Sequence, residues 1–179
     1  FANCIKKLKE QNILVEVLIP DFRGNSDCLK IICAAKPDVI AHNIETVERL
    51  QKKVRDPRAG YAQSLSVLEA VKKINPEIYT KSSIMLGLGE TQEEVEQTLC
   101  DLKEKNVDFV TLGQYLRPSE KQLEVQEYVK PEIFKYYEQF AQQLGFKYAA
   151  AGPFVRSSYR AGELFIKSMV KKEEIHVTA

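Results

Sequence analysis

The chain has 179 residues, 44% of them apolar and 28% charged, with a formal net charge of +1. That is enough chain for one domain with a substantial core, and so even a balance of charge sets up no long-range field to draw nucleic acid or an anionic membrane. No apolar run approaches the ~18 residues of a membrane span, so neither nucleic acid nor membrane is expected as a partner.

The first residues, FANCIKKLKEQN, open in mid-pattern, with Phe1, Cys4, Ile5 and Leu8 at helical spacing. They contain no signal peptide, transit peptide or initiator Met, so the expectation is a fragment that lacks its front half. ILVEVLI (13–19) is short and β-branched and predicts a strand. DCLKIICAAK predicts a helix that stops before Pro37, and DVIAH (38–42) the next strand. ETVERLQKKV predicts a helix, and SLSVLEAVKKI another that ends at Asn75-Pro76. IYTKSSIML (78–86) predicts a strand that runs into GLGE. In TQEEVEQTLCDLKEKN, Thr91 and Glu94 have capping-box spacing, and Val95, Leu99 and Leu102 form one apolar stripe. DFVTLGQYL (108–116) predicts a strand. PEIFKYYEQFAQQLG predicts a helix with Pro131 in its first turn and Gly145 as its stop, and FKYAAAG a last short strand before VRSSYRA.

Strands that alternate with helices imply a parallel α/β sheet, because each helix returns the chain to the starting edge. Periodicity alone leaves open whether the units belong to a barrel or to an open sheet. The four cysteines, Cys4, Cys28, Cys33 and Cys100, form no CxxC. Cys28 and Cys33 share one predicted helix at an offset that points them apart, so packed thiols are expected.

Polar, glycine-rich clusters follow the strands: Pro20 to Gly24, His42 to Glu45, Gly87 to Glu90, and Gly113 to Pro118. Ligands of barrels and of open α/β sheets bind at that end, which makes this rim the candidate site. Asp21 to Gly24 also reads as a turn before a helix capped at Asn25 or Ser26. Asn43 and Glu45 alternate, so an extended backbone would aim both the same way, and an amide with a carboxylate can hold a sugar's vicinal hydroxyls. The alternative is that Asn43 caps the next helix. The glycines of LGLGE let a flat ring approach the main chain, or simply form a tight turn. In VRDPRAGY, Arg55 or Arg58 can clamp a carboxylate, or form a solvated pair with Asp56. His42 and His176 each read more readily as structural or solvated than as ligand or base. No Ser–His–Asp set or metal-spaced His pair is visible.

The stretches VEVLIPDFRG, DVIAHNIETV, VRDPRAGYAQSLSVL, TKSSIMLGLGET, VTLGQYLRPS, EYVKPEIF, YAAAGPFVRSSYRAGE and LFIKSMV resemble, in this order and over nearly the whole chain, the lipoyl synthase family of radical S-adenosylmethionine (SAM) enzymes. The resemblance implies an α/β fold: the C-terminal portion of a partial (β/α)6 TIM-like barrel over 1–151, with a cluster-ligating C-terminal extension over 152–179. It implies insertion of two sulfur atoms at C6 and C8 of an octanoyl group carried on a lipoyl carrier domain, either a dehydrogenase-complex acyltransferase subunit or the glycine-cleavage H protein. A ferredoxin-type electron donor is implied as a second partner.

Two [4Fe–4S] clusters and SAM are the implied cofactors. One cluster reduces SAM to methionine and a 5′-deoxyadenosyl radical, and the auxiliary cluster gives up sulfur. By resemblance, Ser158 of VRSSY ligates the auxiliary cluster, where iron–sulfur sites normally use thiolate. Arg156, Ser157 and Tyr159 position its loop. Asn43 and Glu45 match the site for SAM's ribose, Met85 and Gly87 the segment near its adenine, and Arg55 its carboxylate. Arg23 and Arg117 are rim residues that would orient the cluster loop or the lysyl-octanoyl arm. The family's two cysteine triplets, first two strands and acidic loop are not in this sequence, so the chain by itself is expected to be inactive. Two rival readings stay open: another SAM-dependent sulfurtransferase, such as a biotin synthase relative, or a non-catalytic βα module that binds a nucleotide or a carrier protein. The ending SSYRAGELFIKSMV is similar to organellar forms, plastid or apicoplast ahead of mitochondrion.

Overall fold

A computed structural model describes residues 1–158. Five strands, β1 (Glu16–Leu18), β2 (Val39–Ala41), β3 (Tyr79–Leu86), β4 (Phe109–Gln114) and β5 (Tyr148–Gly152), form one sheet in the order β1-β2-β3-β4-β5. Every adjacent pair is parallel. The α/β class and the strand sequence expected from the residues are therefore present. β1 is shorter than the 13–19 run, because a strand with a neighbour on one side only is held only where β2 reaches it.

Six helices accompany the strands: α1 (Ala2–Lys9), α2 (Ser26–Ala34), α3 (Gln51–Val54), α4 (Tyr61–Ile74), α5 (Gln92–Glu104) and α6 (Pro131–Gln143). Their apolar stripes bury one face of the sheet. Leu65, Leu68, Val95, Leu99, Phe134 and Ala141 pack on Ile84, Leu86, Val110 and Leu112, all at 8% exposure or less. α2, α4 and α1 form a second core around Ile5, Leu29, Ile32, Ile40 and Val71. Of the apolar residues read at the start of α1, Ile5 is buried, whereas Phe1 and Cys4 are exposed. Asn25 caps α2, accepting from the backbone of Asp27 and Cys28. Thr91 and Glu94 close the capping box of α5 in both directions. Pro131 starts α6, and Gly145, at φ 85°, ends its turn.

The predicted helix over ETVERLQKKV is only partly there. Helical structure begins at a 3-10 turn, Glu48–Leu50, and continues as the single turn of α3. Glu45 instead takes φ 66° and bridges Ile84 of β3, its N–H donating to Ser83 and its carbonyl accepting from Met85. A left-handed conformation costs an ordinary residue roughly 1–2 kcal/mol, so ladder hydrogen bonds outweigh the helical propensity of this stretch. The alternative reading of Asn43 as the cap of that helix falls with it, since the 3-10 turn starts after Val47.

Beyond β5 the chain turns at Pro153 and Phe154 and crosses β4. A β-carbon on Gly113 would stand 2.1 Å from the Val155 carbonyl oxygen. Only a residue without a side chain lets the terminal segment lie this close to the sheet.

Candidate functional site at the strand ends

Side chains alternate across each strand. The sheet face away from the main core carries Tyr79 stacked on Phe109, with Val39 and Tyr148 beside them. Higher on the same face come the buried Lys81, paired with Glu16 at 2.9 Å, then Ser83, which accepts from Thr111 at 3.0 Å. This face turns from aromatic to polar toward the C-terminal ends of the strands, and clefts open there.

The larger cleft, about 440 Å³, is lined by the segments after β1 and β2 and by the loop between α3 and α4, among them Asp21, Arg23, His42, Asn43, Glu45 and Arg55. A smaller one of about 120 Å³ adjoins it and is lined by Asn43, Glu45, Met85, Gln114, Arg156 and Ser157 among others. Asn43 and Glu45 therefore face both clefts, although the extended backbone that would align them breaks at Glu45. The structure brings Arg23, Asn43, Glu45, Arg55, Met85, Arg156 and Ser157 to one rim. Ser158 is exposed at the end of the described residues, and Tyr159 lies outside them.

Gly87 and Arg117 stand apart from this group. The N–H of Gly87 donates to Glu90, its carbonyl accepts from Gln126 at 2.9 Å, and Glu127 passes directly over it. Arg117 is occupied by its own loop, where its guanidinium donates to the carbonyls of Glu120 and Gln122. The two arginines of VRDPRAGY also separate. Arg58 makes the solvated pair with Asp56, Nε to Oδ1 at 2.8 Å, while Arg55 turns inward to the Ser64 hydroxyl at 2.8 Å.

The site is electrostatically unfinished. Burial raises the Glu45 carboxyl above the usual carboxylate range, and a hydrogen bond from Asn43 and the charge of Arg55 offset part of that. The Asn43 Oδ1 and Thr46 Oγ1 atoms are buried with no partner among the described residues. A buried oxygen without a donor costs about 1–3 kcal/mol; Asn43 lines both clefts, where a ligand can supply the donor, whereas Thr46 lines neither. His42 is pushed the other way, with burial holding its imidazole below its ordinary range. Among the described residues no group of three or more His, Cys, Asp and Glu side chains is placed to hold a metal ion.

Ser64 is not among the site residues expected from the sequence, and Gly113 figures there only as the start of a glycine-rich strand-end cluster. Ser64 sits on the buried stripe of α4 with Tyr61, Leu65, Leu68 and Val71, and a serine on an apolar stripe was the available signal. The specific role of Gly113, passage of Val155 over it, had no local signal, because that segment arrives after another helix and strand.

Comparison with known proteins shows the family. The model of the radical SAM superfamily matches residues 2–102, more than half of the chain. The chain is 58% identical over 168 residues to "Lipoyl synthase, mitochondrial" of Drosophila melanogaster, covering 94% of this chain and 45% of that protein. It is 55% identical over 174 residues to "Lipoyl synthase, apicoplast" of Plasmodium yoelii yoelii, covering 96% and 35%. It is 54% identical over 176 residues to "Lipoyl synthase 2, chloroplastic" of Oryza sativa subsp. indica, covering 97% and 46%. The chain thus spans less than half the length of these relatives. Among solved structures, the HMG-CoA lyase of Brucella melitensis superposes with a TM-score of 0.54 at 17% identity, over 96% of this chain and 59% of that one, a likeness of fold alone. The chain belongs to the radical SAM superfamily, and within it matches lipoyl synthases over nearly its whole length.

Proposed function

We propose that this chain provides the SAM-facing strand ends and the terminal serine of a lipoyl synthase, which inserts two sulfur atoms at C6 and C8 of a carrier-bound octanoyl group. The sheet would then be part of a partial (β/α)6 barrel, with residues 1–151 in the barrel and 152–179 as the extension. The observation that carries the reading is the seating of Arg156 and Ser157 on the rim of Asn43, Glu45 and Met85, through the close passage of Val155 over Gly113.

The residues present fit SAM. The orphaned Asn43 oxygen and the half-buried Glu45 carboxylate can both accept from a pair of ribose hydroxyls. Arg55 offers its charge to a carboxylate in the same cleft. Met85 would stand near the adenine. Gly87 would act there only indirectly, by holding the loop behind it. Arg23 lines the same cleft, whereas Arg117 would have to leave its own loop to reach the cluster loop or the lysyl-octanoyl arm.

The described residues do not by themselves fit an iron–sulfur cluster. Ser158 would add one oxygen ligand to the auxiliary cluster, held in place by Arg156, Ser157 and Tyr159. When bound, the clusters supply the reducing electron and the sulfur, and the chain's own part is to hold SAM at the rim and to keep the Ser158 loop over it. The chain alone is then inactive. An octanoylated carrier domain is the partner, with a ferredoxin-type donor as the electron source. Its relatives carry mitochondrial, apicoplast and chloroplastic names, and an organelle is the proposed location, plastid or apicoplast ahead of mitochondrion.

Equilibrium dialysis of SAM against the intact natural protein tests the reading. Asn43→Ala should weaken binding about tenfold, the value of a hydrogen bond to a buried polar group. Unchanged affinity would remove the ribose assignment. Residues 1–179 reconstituted alone with iron and sulfide should hold no stoichiometric [4Fe–4S] centre, and a full complement of iron would refute the inactivity of the isolated chain.

A further inference from the structure

Behind the larger cleft, His42, Ser64 and Arg55 form one chain of hydrogen bonds. The His42 Nδ1 atom is 2.9 Å from the Ile19 carbonyl oxygen, and Nε2 is 3.1 Å from the Ser64 hydroxyl. A carbonyl only accepts, so the ring proton sits on Nδ1 and Nε2 presents a lone pair. The single proton of Ser64 is then committed to Nε2, and the Ser64 oxygen is left to accept from Arg55 Nη1 at 2.8 Å. Gln51 Oε1, 3.1 Å from the same nitrogen, is a second acceptor. Gln51 is itself fixed, because its amide donates to the carbonyls of Ile44 and Thr46. Arg55 Nη1 is thus spent inside the protein. Its Nε–H and Nη2–H, the side-on fork that pairs with carboxylates, have no hydrogen-bond partner among the described residues, and Arg55 lines the cleft.

We propose that His42 is a positioning residue that fixes the rotation of the Arg55 guanidinium through the Ser64 hydroxyl, so that the Nε–Nη2 fork faces a carboxylate in the cleft only while the His42 ring is neutral. Identifying that carboxylate as the one on SAM rests on the function proposed above. A second proton on His42 turns Nε2 into a donor. Ser64 would then face two cationic donors, and its own proton would lose its acceptor. Burial, the largest influence, and the charge of Arg55 both oppose that proton, while the bond to Ile19 and the carboxylate of Asp21 favour it. Glu45, Arg23, Asp56 and Arg58 are the other charged groups around the cleft.

NMR of the intact protein with nitrogen-labelled histidine and arginine decides the matter, His42 being identified by the signal lost in His42→Gln. The expected result is an Nδ1–H tautomer at neutral pH. The Nη1 and Nη2 signals of Arg55 should be separate at neutral pH and merge on acidification through the His42 transition, and they should be merged at every pH in Ser64→Ala. Ser66→Ala, on the exposed side of the same helix, should change neither signal. An Nε2–H tautomer, or Arg55 signals indifferent to both Ser64 and pH, overturns the proposal. Should Ser64→Ala fail to fold, Arg55→Gln serves instead. Loss of the Arg55 charge should raise the His42 midpoint, and an unmoved midpoint overturns the coupling.

SAM affinity, measured by dialysis, should fall about tenfold as His42 is protonated. If the spectroscopic coupling holds while affinity ignores pH, the ligand assigned to Arg55 is wrong and the relay stands. If the coupling is absent, the relay falls whatever the affinity does.

Discussion

Asp108, at the N-terminal end of β4, and Asn43, beyond the C-terminal end of β2, are both buried polar side chains in the same sheet. Asp108 accepts from Lys72 at 3.0 Å and from the Thr80 N–H at 2.9 Å, and pairs with Lys147. Asp38, at the same end of β2, is likewise filled by Lys9 and the Val15 N–H. The opposite rim holds an orphaned amide oxygen at Asn43, a left-handed Glu45 with a raised carboxyl, and an Arg55 fork without a hydrogen-bond partner among the described residues. A chain that can satisfy its buried groups at one end and leaves them open at the other has been shaped at the second end for something other than stability. The polar residues of the lower end hold the fold; on the proposed function, Asn43, Glu45 and the Arg55 fork at the upper end are the groups that a ligand completes.

Asp108→Ala probes this contrast with the largest expected effect. It would leave Lys72, only 15% exposed, without its counter-charge and with only the carbonyls of Pro76 and Ile78, and would strip the buried N–H of Thr80 of its acceptor. Removing one partner of a buried pair typically costs about 3–5 kcal/mol. Urea unfolding should show a loss at or near that size, and a loss below ~1 kcal/mol would mean that the lower end is not the structural one.

Gly113→Ala should cost less and act locally. The new methyl would run into the Val155 carbonyl, so either the terminal segment lifts or the strand shifts, at about 1–3 kcal/mol. Hydrogen exchange at the Val155 amide, which donates to Gly152 at 3.0 Å, should speed up while the amides of β3 stay protected. Gly60→Ala is the control, because its β-carbon meets nothing closer than 3.8 Å.

These two sites also mark what could be read from the residues alone. The five strands were legible because each is a short β-branched or apolar run between breakers, and their parallel order followed from the helices between them. Thr91, Pro131 and Gly145 were legible because their roles are local. The helix over ETVERL was misread at its start, since nothing in Glu45 announces a left-handed residue. That conformation is imposed by a bridge to Ile84, far along the chain. On the rim, Asn43, Glu45 and Arg55 stood out as polar residues where strands end. The internal commitments of Gly87 and Arg117 did not: Gly87 is covered by a segment that returns from later in the sequence, at Gln126 and Glu127, and Arg117 is taken up by the carbonyls of its own irregular loop, which no periodic pattern announces.

Glu45→Gln gives the smallest effect and the sharpest division between the two ends, because its sign is opposite to that of Asp108→Ala. A carboxyl whose folded value is raised contributes stability that is fully present below its unfolded value, about 4.5, and is lost as pH rises through the folded value. At neutral pH the native protein therefore carries a half-buried charge that Asn43 and Arg55 compensate only in part. Glutamine keeps the shape and can still accept from Asn43, but carries no charge to desolvate. Urea unfolding should show Glu45→Gln to be more stable than the parent at neutral pH, with the advantage shrinking as pH falls and vanishing below about 4.5. SAM affinity should fall in the same variant, since a neutral amide is a weaker acceptor for ribose hydroxyls than a carboxylate. A variant that lost stability at neutral pH would show Glu45 to be as structural as Asp108, and the division between a satisfied end and a waiting one would fail at its central residue.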